Sequence, residues 1–208
     1  GLDDAVPAFD ELSGRDPQRP VCLFGFSAGA QLGLITAARR GDAVACVVDL
    51  LGPPDLEDFG DRRRSRRGED LARMAFGADA LRRMSPVNNA DAIAAPVLIG
   101  AASCDSYVAP ADHERFAERL REAGNDARFA LIEAGDDVDL EHCRVDRGSY
   151  DVFLGEARRL MTRAAAEWNP PAIAEPAGED ESGDGLGLLI GVAGVLAGLG
   201  LAVWAWRR

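Results

Sequence analysis

The sequence predicts an α/β fold built on a doubly wound parallel sheet, followed by a linker and one membrane-spanning helix. Two observations carry this. Short apolar runs alternate with helix-length segments over the first 168 residues, the pattern of strand–helix–strand units. After Asn169 the chain turns acidic and Pro-rich, and then wholly uncharged over Gly185–Trp206.

The elements follow in order. Asp3–Gly14 places Val6, Phe9 and Leu12 on one helical face. After Pro17 and Pro20, the run Val21–Phe26 reads as a buried strand. Ser27–Arg40 is rich in Ala and Leu, ends in arginines that suit a helix C-terminus, and stops at Gly41. Ala43–Leu51 is a second buried strand, and Asp55–Met84 is charged and mostly helix-like. Val97–Ala101 is a third strand, introduced by Pro96. An amphipathic helix over Pro110–Ala123 leads to a fourth strand, Ala127–Glu133, and a last helix covers Tyr150–Trp168.

Composition narrows the function. Acidic residues number 35 against 23 basic ones, all arginine, for a net charge of −12. That balance excludes nucleic acid as a partner, because phosphate backbones require a basic surface. It fits a high-salt cytoplasm or a GC-rich genome equally well. The four cysteines form no Cys-x-x-Cys pair, no spacing among them proposes a disulfide, and Cys22 and Cys46 read as small buried hydrophobes. With two histidines and no ligand pair, neither a metal nor a cofactor is expected. Arg62–Asp70 reads as a solvated excursion, or more sharply as part of a lid meeting an acidic substrate group.

Gly25–Gly29 reads GFSAG, a G-x-S-x-G motif between a strand and a helix. The chemistry needs small residues on both sides, because strand and helix pass closely at a strained turn. The turn lifts the Ser27 hydroxyl above the sheet, and the Ala28 amide is placed to hold an oxyanion. Further on stand Ser85-Pro86, Pro96, Gly100, Asp105, Val108, Pro110 and Ala123-Gly124. In this order the segment 21–166 resembles the C-terminal part of prolyl-oligopeptidase-like α/β-hydrolases.

The resemblance implies a serine hydrolase acting on an ester or peptide bond, with Ser27 as nucleophile and Asp105 as the acid that orients a histidine. The family's slot for that histidine falls on Val138, so His142 must complete the triad. His113, on the helix after Asp105, is expected to face solvent. The rival reading is a catalytically inactive hydrolase-fold domain serving as a binding module, and the valine at 138 separates the two. Strands that precede the nucleophile in this fold, with the second oxyanion donor, are expected upstream of Gly1.

The expected organisation is a partial hydrolase domain over 1–168, a disordered acidic linker over 169–184, a transmembrane helix over 185–206 and a basic tail at 207–208. The 22 residues of Gly185–Trp206 suffice to cross roughly 30 Å of hydrocarbon. Arg207-Arg208 favour a cytoplasmic C-terminus with the hydrolase domain outside. Partners are then a small ester or peptide substrate, the membrane, and a second copy through the helix.

Overall fold

The computed structural model describes residues 2–57, 77–171 and 201–205. Helix α1 (Leu2–Arg15) precedes strand β1 (Val21–Phe26), helix α2 (Ala28–Arg40) and strand β2 (Cys46–Leu50). Helix α3 (Ala78–Met84) and a 3-10 turn (Pro86–Ala92) lead into β3 (Val97–Ala102). Helix α4 (Pro110–Glu122), β4 (Ala127–Ile132), a hairpin of β5 (Ala134–Asp139) and β6 (Arg144–Val145), and helix α5 (Arg147–Glu167) follow. Strand β7 (Leu201–Ala205) is the last described element.

The main sheet runs β4-β3-β2-β1-β7, with the first four strands parallel. Side chains alternate across it, as pleating requires. Leu23, Val47, Val97 and Ile99 pack on one face with Phe9 of α1, Leu34 of α2 and Phe116 of α4. Val48, Leu50 and Leu98 pack on the other with Phe153, Ala157 and Leu160 of α5. Helices on both faces make the sheet doubly wound, as expected. In such sheets the working groups gather beyond the carboxyl ends of the strands.

Three expectations meet a different arrangement here. Leu201–Ala205, inside the expected span, is a strand paired antiparallel with β1, in the register Val21↔Ala205 to Gly25↔Leu201. The unpaired edge of β1 offers backbone groups that take a partner strand, and Val203-Trp204 suits a strand as well as a span. Among the described residues no helix is long and apolar enough to cross a membrane. The rest of 185–206, most of the 169–184 linker, the 207–208 tail and the Arg62–Asp70 run lie outside the described residues.

The cysteines are the second. Cys22 bonds Cys46 and Cys104 bonds Cys143, with Cα atoms 4.6 and 5.9 Å apart. The first pair are direct neighbours across β1 and β2. Thirdly, His113 faces inward and is fully buried. It lies on the same stripe of α4 as Phe116, Ala117 and Leu120, an i, i+3, i+4, i+7 pattern. Burial pulls its pKa below the ordinary histidine value, against the opposing pull of the Ala109 carbonyl. It is a neutral core residue.

Asp49 is the other buried ionisable group of the sheet. It lies on β2 opposite Gly25, is inaccessible to solvent, and accepts the Gly52 N–H at 2.9 Å through Oδ1. Its Oδ2 has no hydrogen-bond partner among the described residues. Burial pushes the carboxyl from its ordinary value of 3.8 up to about 8, against the smaller pull of the Gly52 amide. The folded state therefore holds a proton that the unfolded chain releases near pH 4. Stability is full below that pH and falls as pH rises toward 8, at on the order of 1 kcal/mol per unit. Asn keeps the acceptor for Gly52 without the charge. Urea midpoints at pH 5 and pH 7 should fall for wild type and stay nearly level for Asp49→Asn; parallel falls would locate the dependence elsewhere.

Candidate active site

The nucleophile turn is built from backbone constraints. Ser27 has φ 51° and ψ −123°, a conformation that non-glycine residues rarely adopt. Its N–H donates to the Leu50 carbonyl at 2.8 Å, tying the turn to β2. A Cβ on Gly25 would meet the Ala30 backbone at 2.4 Å, so only glycine lets β1 and α2 pass here. The Ala28 amide is the first N–H of α2, one of the donors that a helix leaves unpaired at its start. The turn thus presents a hydroxyl with an anion-stabilising amide beside it.

Asp105 stands three residues past the end of β3. Its Oδ1 accepts the N–H groups of Tyr107 at 2.7 Å and Val108 at 3.2 Å. Its Oδ2 accepts from His142 Nδ1 at 2.8 Å. Burial alone would raise its pKa, but the His142, Tyr107 and Val108 hydrogen bonds outweigh that and hold it below the usual carboxylate value. Asp105 is therefore ionised at neutral pH and can only accept.

His142 occupies the tip of the β5–β6 hairpin. Glu141 beside it has φ 61°, and the Leu140 N–H donates to the Cys143 carbonyl at 3.1 Å, closing the tip. The ring lies against Phe26 and Tyr107, with centroids 5.3 and 5.0 Å away. His142 Nε2 is 2.8 Å from Ser27 Oγ. Because an ionised Asp105 requires the proton on Nδ1, the neutral ring offers a lone pair at Nε2 and the Ser27 hydroxyl donates to it.

The structure thus brings Ser27, His142 and Asp105 into one continuous hydrogen-bonded line. Val138, in the slot where the resemblance expects histidine, lies in β5 opposite Val145 and packs partly into the core. Both cysteines of the second disulfide flank this line in sequence, Cys104 before Asp105 and Cys143 after His142. That adjacency was the signal available in the sequence for their pairing. A cavity of about 280 Å³ reaches Tyr107 and Val108, which follow Asp105, and is lined by both apolar and charged side chains, among them Pro53, Phe116, Asp112 and Arg115. Arg115 on its rim pairs with Asp112, and Arg119 pairs with Asp91. No group of three or more His, Cys, Asp or Glu suited to a metal occurs among the described residues.

A serine at a strand–helix elbow, facing a histidine and a carboxylate from later loops of a doubly wound sheet, defines the α/β-hydrolase class. The chain belongs to the prolyl oligopeptidase family, whose model matches residues 2–136. His142 lies just beyond that span. The chain is 26% identical over 193 residues to dipeptidyl aminopeptidase BIII of Pseudoxanthomonas mexicana, covering 88% of this chain and 26% of that protein. Among solved structures it resembles a puromycin-hydrolyzing peptidase of Mycobacterium tuberculosis, with a TM-score of 0.63 and 23% identity. That alignment covers 80% of this chain and 26% of the other. Esterase 2 of Thermogutta terrifontis aligns with a TM-score of 0.60 at 20% identity, over 82% of this chain and 66% of its own. The chain therefore spans about a quarter of the length of its peptidase relatives, and the likenesses to solved structures establish the fold.

Proposed function

We propose that this chain carries the catalytic apparatus of a serine hydrolase that cleaves an ester or peptide bond. The observation that carries the reading is the pair of 2.8 Å contacts from Ser27 Oγ to His142 Nε2 and from His142 Nδ1 to Asp105 Oδ2. In the first step Ser27 Oγ attacks the carbonyl carbon while His142 Nε2 takes its proton. The Ala28 N–H stabilises the oxyanion. Asp105 holds the resulting imidazolium. His142 then returns the proton to the leaving alcohol or amine, and a water repeats the sequence on the acyl-enzyme. The rival reading, an inactive binding module, rested on Val138, and the position of His142 weighs against it.

We also propose that the hydrolase works outside the membrane, held there by residues 185–206. The uncharged length of that run supports a span, and two disulfides suit an oxidising compartment. Residues 201–205 pair with β1 in the structure, so membrane insertion of the run requires that edge strand to leave the sheet.

One experiment tests both statements. Intact cells making the whole protein are treated with a fluorophosphonate probe, then with protease. Labelling should fall on Ser27, be absent in Ser27→Ala, and leave the cells with the released domain. Labelling that survives Ser27→Ala removes the nucleophile assignment; a labelled domain protected until lysis removes the location.

A further inference from the structure

Ser27 and Asp105 are fixed by the main sheet, through β1, β2 and β3. His142 is not. It rides on a two-stranded hairpin that is separate from that sheet, and most of β5 is exposed. An isolated hairpin is marginal by itself, and this one also holds Glu141 in the left-handed region. At the tip, the non-covalent anchors are the ring's hydrogen bonds, its contacts with Phe26 and Tyr107 and buried Leu140; the hydrogen bonds from Ala134 N–H to Ser103 Oγ and from Asp146 N–H to the Glu133 carbonyl hold only the base of the hairpin. The covalent tie is the Cys104–Cys143 bond, which joins the residue before the acid to the residue after the base.

From this geometry we infer that the Cys104–Cys143 disulfide is the positioning element of the relay, and that a dithiol reductant switches hydrolysis off while the sheet stays folded. The inference rests on the serine-hydrolase reading above. With the bond intact, Asp105 and His142 move as one body, and the 2.8 Å contact of His142 with Ser27 is held. With it broken, the hairpin tip is free to lift His142 away, leaving Ser27 without a base.

The chemistry balances. A thiolate of the dithiol attacks one sulfur and expels the other as a thiolate, and the second thiol of the reagent resolves the mixed disulfide. The protein gains two thiols, and the reagent leaves as its own disulfide. Two electrons and two protons pass to the protein. Selectivity follows from burial. Cys46 is inaccessible and Cys22 nearly so, whereas Cys104 and Cys143 are each part-exposed.

The test uses the whole protein, oxidised, then treated with dithiothreitol, alkylated, and mapped by mass spectrometry. Alkylation at 104 and 143 but not at 22 and 46 should accompany a fall in kcat of about tenfold or more, with KM changed less than about twofold. Near-ultraviolet circular dichroism should persist, and re-oxidation before alkylation should restore kcat. Cys104→Ser with Cys143→Ser should show the same low kcat and no response to dithiothreitol. Full reduction at 104 and 143 with kcat unchanged overturns the proposal, as does a loss that tracks unfolding or a rise in KM alone. Oxidised protein that hydrolyses nothing and takes no fluorophosphonate sinks instead the proposed function on which it rests.

Discussion

Asp105→Asn is expected to lower kcat by about 10⁴-fold while leaving KM nearly unchanged. The argument lies in which oxygen does what. Oδ1 receives two backbone N–H groups, from Tyr107 and Val108, so an asparagine must keep its carbonyl there. Its NH₂ is then turned toward His142. Two donors cannot face one another, so Nδ1 gives up its proton and Nε2 acquires it. The ring now donates to Ser27 when it should accept, and the base is lost with every heavy atom in place. The variant should retain its fold, because both Oδ1 bonds survive. Steady-state kinetics with an activated ester measure the effect. A loss below about tenfold would mean that Asp105 does not set the tautomer.

His142→Ala should lower kcat by about 10³-fold or more. No other histidine can replace it, since His113 is buried with its ring closed into the core. Introducing histidine at position 138 tests whether the family's usual slot still functions. Val138 lies in β5, packed partly against the core opposite Val145, so an imidazole there loses packing and does not meet Ser27. Val138→His in the His142→Ala background should therefore not restore activity. Restoration would return the base to the family position and make the observed line of contacts incidental.

These outcomes bear on what the residues disclosed before the structure. The strand, GFSAG and helix were legible together, because one local turn couples all three and the spacing of small residues is dictated by sterics. Asp105 was legible from its place just past an apolar strand. His142 was only half legible. Its position depends on the β5–β6 hairpin, whose acidic sequence Asp136-Asp137-Val138-Asp139 reads as loop by composition, although only its valine turns inward. The inward face of His113 follows from its helical phase with Phe116 and Leu120, a signal that polarity alone conceals. The Cys22–Cys46 bond depends on the register between two strands, which no spacing within either strand encodes. At Leu201–Ala205 the same apolar residues satisfy a membrane or a sheet edge, and hydropathy alone does not distinguish the two.

The two disulfides have a consequence for how the chain comes to be made. Their loops, 22–46 and 104–143, follow one another along the chain and do not interleave. A polypeptide emerging N-terminus first into an oxidising space exposes Cys22, then Cys46, well before Cys104 appears. Within this segment each cysteine thus meets its proper mate as the next one to arrive, and simple order of emergence favours the correct pairing over the other possible ones. The first bond locks neighbouring strands of the core. The second can close only after β4 and the hairpin have been delivered, when all four parallel strands have emerged and α5 is still to come.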